Sequence, residues 1–228
     1  MRKLVLVIAF ALCSYVSTFA QVSLTIDNPK AGWLSSKISN PELLEELIVT
    51  GYVNNTDLNF ISKMAKDGAL KRIDLCNSTV TETIKEDTFE PVSIKYLSLA
   101  QNWKGEKTLQ NVFTDTLVCG GYTDHIIYRN CFSKYYNGTL SNYGTHCLIF
   151  REGTDTIAYG AFKADLEHKN VHIKKVVLPS TMKYIGQYAF YLCSKITSIN
   201  FPDSLRTISE YAFAGLVFDT IRLPKLMT

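Results

Sequence analysis

Between residues 70 and 224 the chain repeats a short signature with apolar residues at its first, fourth and sixth positions. The clear copies are Leu70, Ile73 and Leu75; Ile94, Leu97 and Leu99; Ile173, Val176 and Leu178; Ile196, Ile199 and Phe201; and Phe218, Ile221 and Leu223. The last four residues of each copy alternate inward and outward positions, with an apolar residue at every inward one, which is the period of a half-buried strand. Poorer copies stand at Leu117 with Cys119 and at Leu148 with Phe150. Pro179, Pro202 and Pro224 follow three of the copies directly. Each marks a strand end, because proline cannot donate to a ladder.

A second element lies between the strands, a hexad of the form Ile-x-x-x-small-Phe. It reads IKEDTF at 84, IYRNCF at 127, IAYGAF at 157, IGQYAF at 185 and ISEYAF at 208, with a weaker TLQNVF at 108. Spacings between 19 and 30 residues are those of a leucine-rich solenoid. Strand and hexad each have one apolar face too small to be stable alone. Stacking each repeat on the next buries both in one narrow core. The pattern therefore predicts a parallel ladder of short strands, with Phe89, Phe132, Phe162, Phe190 and Phe213 buried.

Strand side chains alternate faces, so the neighbours of the inward positions turn out. They are Arg72, Asp74, Tyr96, Ser98, Lys175, Ser198, Asn200 and Arg222. The row mixes charges of both signs with an aromatic and an amide. That suits a protein or glycan better than a polyanion, although ordinary solvated strand positions would read the same way. A rival contact site is the segment SKYYNGTLSNYGTH with Tyr135, Tyr136 and Tyr143, since loops carry function disproportionately and tyrosine is favoured at interfaces.

The stretch KKVVLPSTMKYIGQYAFYLCSKITSINFPDSLRTISEYAF resembles the BspA-like leucine-rich repeats. The likeness is close over 173–224 and decayed over 70–163. AGWLSSKI, LIVTGYVNNTDLNFISKM and LKRIDLCNS are similar to the amino-terminal region of secreted Bacteroidales members. The resemblance implies a leucine-rich-repeat solenoid of short parallel strands with irregular or helical turns. It also implies an N-terminal capping region over 21–69, with an amphipathic helix near Asp57 to Ala65, and repeats over 70–228. An irregular insert around 120–146 departs from the pattern.

Residues 1–20 read as a secretory signal peptide: a basic MRK, the apolar LVLVIAFAL, and STFA with small residues at Thr18 and Ala20. Lipidation at Cys13 is disfavoured by the preceding Leu12. No later stretch is long and apolar enough to span a bilayer. Without Arg2 and Lys3 the formal charge falls from +3 to +1, and no basic stripe points to nucleic acid. Five cysteines follow residue 20: Cys76, Cys119, Cys131, Cys147 and Cys193. Export permits disulfides, but the odd number leaves at least one thiol unpaired, and small buried hydrophobes are the simpler reading.

The residues do not converge on chemistry. His168 and His172 have helical ligand spacing but run directly into a strand. Cys131 or Cys147 beside His146 lacks any nucleophile signature. No metal or cofactor is expected. Asp115-Thr116-Leu117, Asp155-Thr156-Ile157 and Asp219-Thr220-Ile221 resemble an O-glycosylation motif of exported Bacteroidetes proteins. Asn54, Asn77 and Asn137 fit the eukaryotic N-glycosylation pattern. The resulting expectation is an exported, non-catalytic module at the cell surface, in the periplasm or outside the cell. It would bind a host or bacterial surface protein or glycan, since the resemblance implies adhesion. The alternative is a structural or truncated surface protein without a ligand of its own.

Overall fold

The structure is a computed structural model that describes residues 22–85, 88–103, 109, 112–120, 126–127, 145–163, 173–217 and 222–224. Its main sheet contains β1 (Ser23–Asn28), β2 (Glu46–Val53), β3 (Arg72–Asp74), β4 (Ser78–Val80), β5 (Val92–Ser98) and β6 (Val112–Cys119). It continues through β8 (Cys147–Phe150), β10 (Lys175–Val177) and β12 (Ser198–Ile199). The order is β1-β2-β3-β5-β6-β8-β10-β12, with β4 pairing β2 off this path. Every pairing is parallel.

The register explains the apolar signature. Leu24, Leu47, Ile73, Leu97, Leu117, Leu148, Val176 and Ile199 are successive cross-strand partners. They form one inward column across the ladder. The residues from Leu47 to Val176 in this column are buried, while Leu24 and Ile199 are partly buried against the core. The ladder also reaches further back than 70, because β1 and β2 of the region 21–69 pair into the same sheet.

The hexads build a second sheet. β7 (Ile126–Ile127), β9 (Thr156–Ile157), β11 (Tyr184–Ile185) and β13 (Thr207–Ile208) pair in parallel, in the order β13-β11-β9-β7. Each of these strands ends on a hexad's first isoleucine. Phe162 and Phe190 stack at 5.2 Å, and Phe190 and Phe213 at 5.3 Å, with their planes within 9°. Phe89, Phe162 and Phe190 are buried, whereas Phe213 is only partly buried. Phe132 lies outside the described residues.

Two sequence readings are corrected. TLQNVF at 108 is not a hexad: Val112 and Phe113 open the long strand β6, pairing Val92 and Ser93. The β-branched alternation of VFTDTLVC favours an extended strand over a turn. Leu223, expected to point inward, is 51% exposed, since no described element packs over it.

The helix α1 (Asn55–Asp67) forms where the chain supplies a capping box, with Asn54 and Asp57 satisfying each other's backbone N–H. Its Leu58, Ile61, Met64 and Ala65 are buried, the one-face spacing of an amphipathic helix. Asp57, 1% exposed, also accepts hydrogen bonds from the backbone N–H of Gly32 (2.6 Å) and Leu34 (2.9 Å). One carboxylate thus fixes both the helix start and the loop after β1.

Candidate binding surface

The outward positions fall into two rows. Ser23, Glu46, Arg72, Tyr96, Thr116, Cys147, Lys175 and Ser198 are consecutive cross-strand partners. Arg72, Tyr96, Lys175 and Ser198 therefore share one line. Ser23, Glu46, Thr116 and Cys147 complete it and were not assigned to the row in sequence, because the first two lie in the region read as a cap and the other two in decayed repeats. Arg72 is held from both sides: its Nε donates to Glu46 Oε1 at 3.0 Å, and its guanidinium lies 4.2 Å from the Tyr96 ring centroid. The Arg72 hydrogen bond, followed by one from Ser23, holds the Glu46 carboxyl below its ordinary value.

The second row runs through Asp74, Ser98, Val118, Ile149 and Val177. Here the sequence reading needs correction. Ser98 is 2% exposed, because the Arg151 side chain crosses over it. Arg151 Nη2 donates to Ser98 Oγ at 2.6 Å and also bonds Leu99 O, while Nη1 donates to Gly120 O at 3.0 Å. Three coils are stitched together by one guanidinium, which removes Ser98 from the accessible surface. Asp74 is half-buried and accepts from the Cys76 N–H at 2.9 Å.

Asn200 is exposed, but its amide is engaged. Leu178 N–H donates to its Oδ1 at 2.7 Å, and its Nδ2 donates to Leu178 O at 2.8 Å. Asn102 makes the same pair of bonds with Val80, so an asparagine after the strand extends the ladder by side chain. Arg222 is exposed and belongs to no described strand. The rival tyrosines Tyr135, Tyr136 and Tyr143 lie outside the described residues, as do His125, Cys131, His168 and His172.

The titratable groups that are described do not gather into a reactive set. His146 Nδ1 lies 3.3 Å from Asp115 Oδ1. Burial pushes the Cys119 thiol up to about 12, and burial is also the largest cause raising Cys76. Such thiols are poor nucleophiles. Cys193 Sγ donates to Phe162 O at 3.0 Å inside the core. Among the described residues, no group of three or more His, Cys, Asp or Glu could hold a metal. No described helix is long and apolar enough to cross a membrane.

Across the second sheet the hexads carry a different surface. The fourth hexad position takes a left-handed backbone in three coils: Gly160 (φ 60°), Tyr188 (φ 58°) and Tyr211 (φ 56°). This turn aims the N–H groups of positions four and six at the next coil. Gly160 and Phe162 donate to Gln187 O and Ala189 O, and Tyr188 and Phe190 to Glu210 O and Ala212 O. Glycine adopts the conformation freely, whereas a side chain there costs about 1–2 kcal/mol. The rings of Tyr188 and Tyr211 stack at 5.2 Å, and Tyr159 and Tyr191 meet Tyr188 edge-on.

Residues 155–228 match the family model described as the BspA type leucine rich repeat region, in six copies. Residues 155–228 therefore carry leucine-rich repeats of this type, and the fold is a leucine-rich-repeat solenoid. No curated protein and no solved structure matches the chain.

Proposed function

We propose that the protein is an exported, non-catalytic binding module of the cell surface. Its outward strand row would meet a host or bacterial surface protein or glycan. The observation that carries the reading is the single register line of Arg72, Tyr96, Lys175 and Ser198. Repeat stacking places one side chain per coil at a fixed spacing, and an extended partner can engage such a row cooperatively. The leucine-rich repeats support an interaction role. The adhesive role and the export follow from the sequence resemblance and the signal-like start. Asp74 and Asn200 would serve as secondary contacts beside the row, and the exposed Arg222 is a further candidate, whereas Ser98 has no accessible part in it.

The test is a binding screen of the chain without residues 1–20 against immobilised matrix proteins and a glycan array. It is followed by the triple variant Arg72→Ala, Tyr96→Ala, Lys175→Ala on whatever binds. A variant that melts like wild type and loses affinity by about tenfold or more, as truncation of central interface anchors does, supports the reading. Unchanged affinity contradicts it, and saturable binding to nothing in the screen favours the structural alternative.

A further inference from the structure

We propose that the tyrosine ladder on the hexad side is a second binding surface, separate from the strand row, and that its ligand is a neutral polysaccharide. The first observation is conformational. Gly160 shows that the hexad turn needs no side chain at its fourth position, yet the next two coils place Tyr188 and Tyr211 there in a backbone that side chains rarely adopt. Strain retained in successive repeats points from structure to function. The second observation is that the rings form a continuous surface feature and are not core. Tyr211 is 57% and Tyr159 is 45% exposed, Tyr188 stacks on Tyr211 at 5.2 Å, and Tyr191 closes on Tyr188 at 5.2 Å.

The surroundings select the ligand class. Lys163 Nζ lies 5.2 Å from the Tyr188 ring centroid and 5.6 Å from that of Tyr191. Gln187 Nε2 donates to Glu210 Oε2 at 3.3 Å, and Ser209 Oγ donates to the Tyr184 hydroxyl at 2.8 Å. An aromatic column edged by an amide, a carboxylate and hydroxyls matches a pyranose chain, which presents apolar C–H faces and a rim of hydroxyls. One cation against one carboxylate gives no field for a polyanion. A stable protein interface needs about 800 Å² per partner, more than a column one or two residues wide over three coils supplies. A saccharide chain, by contrast, is narrow enough to lie along the column and meet Tyr159, Tyr188 and Tyr211 in successive coils.

The substitution that tests this is unusual in relieving the backbone. The double variant Tyr188→Gly, Tyr211→Gly restores the residue that the equivalent turn already uses at 160. Electrophoresis through gels containing laminarin, xyloglucan, galactomannan or α-mannan reads affinity directly. The wild type is expected to be retarded by at least one of these polymers. The glycine variant should lose that retardation by about tenfold, the scale of losing aromatic anchors, while melting at the wild-type temperature. The strand-row variant Arg72→Ala, Tyr96→Ala, Lys175→Ala should still be retarded, which keeps this surface distinct from the proposed row. If the glycine variant melts early, Tyr159→Ala with Tyr191→Ala, both at ordinary backbone positions, carries the same expected loss. Wild type that no polymer retards overturns the proposal. So does tyrosine-variant retardation equal to wild type, or loss caused by the strand-row variant alone.

Discussion

Gly160 and Gly186 are both hexad glycines, but for different physical reasons. Gly160 sits at positive φ with open space around a would-be Cβ, whose nearest neighbour is Lys163 Cβ at 3.9 Å. Gly186 has an ordinary φ, but a Cβ there would meet backbone atoms of Ala158 and Ile157 at 2.7 Å. Gly160→Ala should therefore cost about 1–2 kcal/mol as backbone strain. Gly186→Ala should cost about 1–3 kcal/mol because two coils must move apart. Gly160→Asn separates the two mechanisms, since asparagine tolerates the left-handed region and should recover most of the loss. Urea melts of the three variants check these values. Phe190→Ala, which deletes a fully buried ring stacked on both sides, should cost about 3–5 kcal/mol.

At the scale of elements, the start of α1 and the Glu46–Arg72 pair are each open to measurement. Asn54→Ala removes the side-chain half of the capping box and should cost about 1 kcal/mol. Asp57→Ala should cost more, by about 1–3 kcal/mol for each backbone donor it leaves buried and unpaired, because Gly32 and Leu34 lose their acceptor as well. Glu46 gives a pH signature. Its folded carboxyl lies below the ordinary 4.5, so its contribution to stability is fully present above that value and is lost as pH falls through the folded value. The acid limb of a stability–pH curve should therefore flatten in Glu46→Gln, and an unchanged limb would show that the pair contributes nothing. Exposed pairs of this kind are worth little in absolute terms, so the shape of the curve is the readout.

The whole molecule was legible in sequence where one residue decides one position. Ile73, Leu97, Val176 and the hexad phenylalanines marked the ladder because burial on one face forces strict alternation. The membership of β1 and β2 was less visible, since neither is followed by a hexad. TLQNVF misled because a strand opening with Val-Phe imitates the end of a hexad. The candidate row was readable as a set of outward residues. Which of them reach solvent was not, because Arg151 covers Ser98 from a coil 53 residues away, and Asn200 turns its amide to the backbone. The tyrosine ladder had a sequence trace in the recurring Tyr-Ala-Phe, but the stacking of Tyr188 on Tyr211, with Tyr159 and Tyr191 edge-on, appears only in three dimensions. Such long-range placements are a property of the stacked coils and of no single repeat.

If a surface partner docks on the strand row, Arg72 and Tyr96 lie at the centre of its footprint. Hydroxyl-radical footprinting of the protein, free and saturated with the partner found in the screen, tests it most directly. Tyr96 is expected to be modified less in the complex, together with reduced labelling of Arg72 and Lys175, while Tyr52 on β2 is labelled as in the free protein. Tyr96 labelled equally in both states, with protection elsewhere or nowhere, would contradict it.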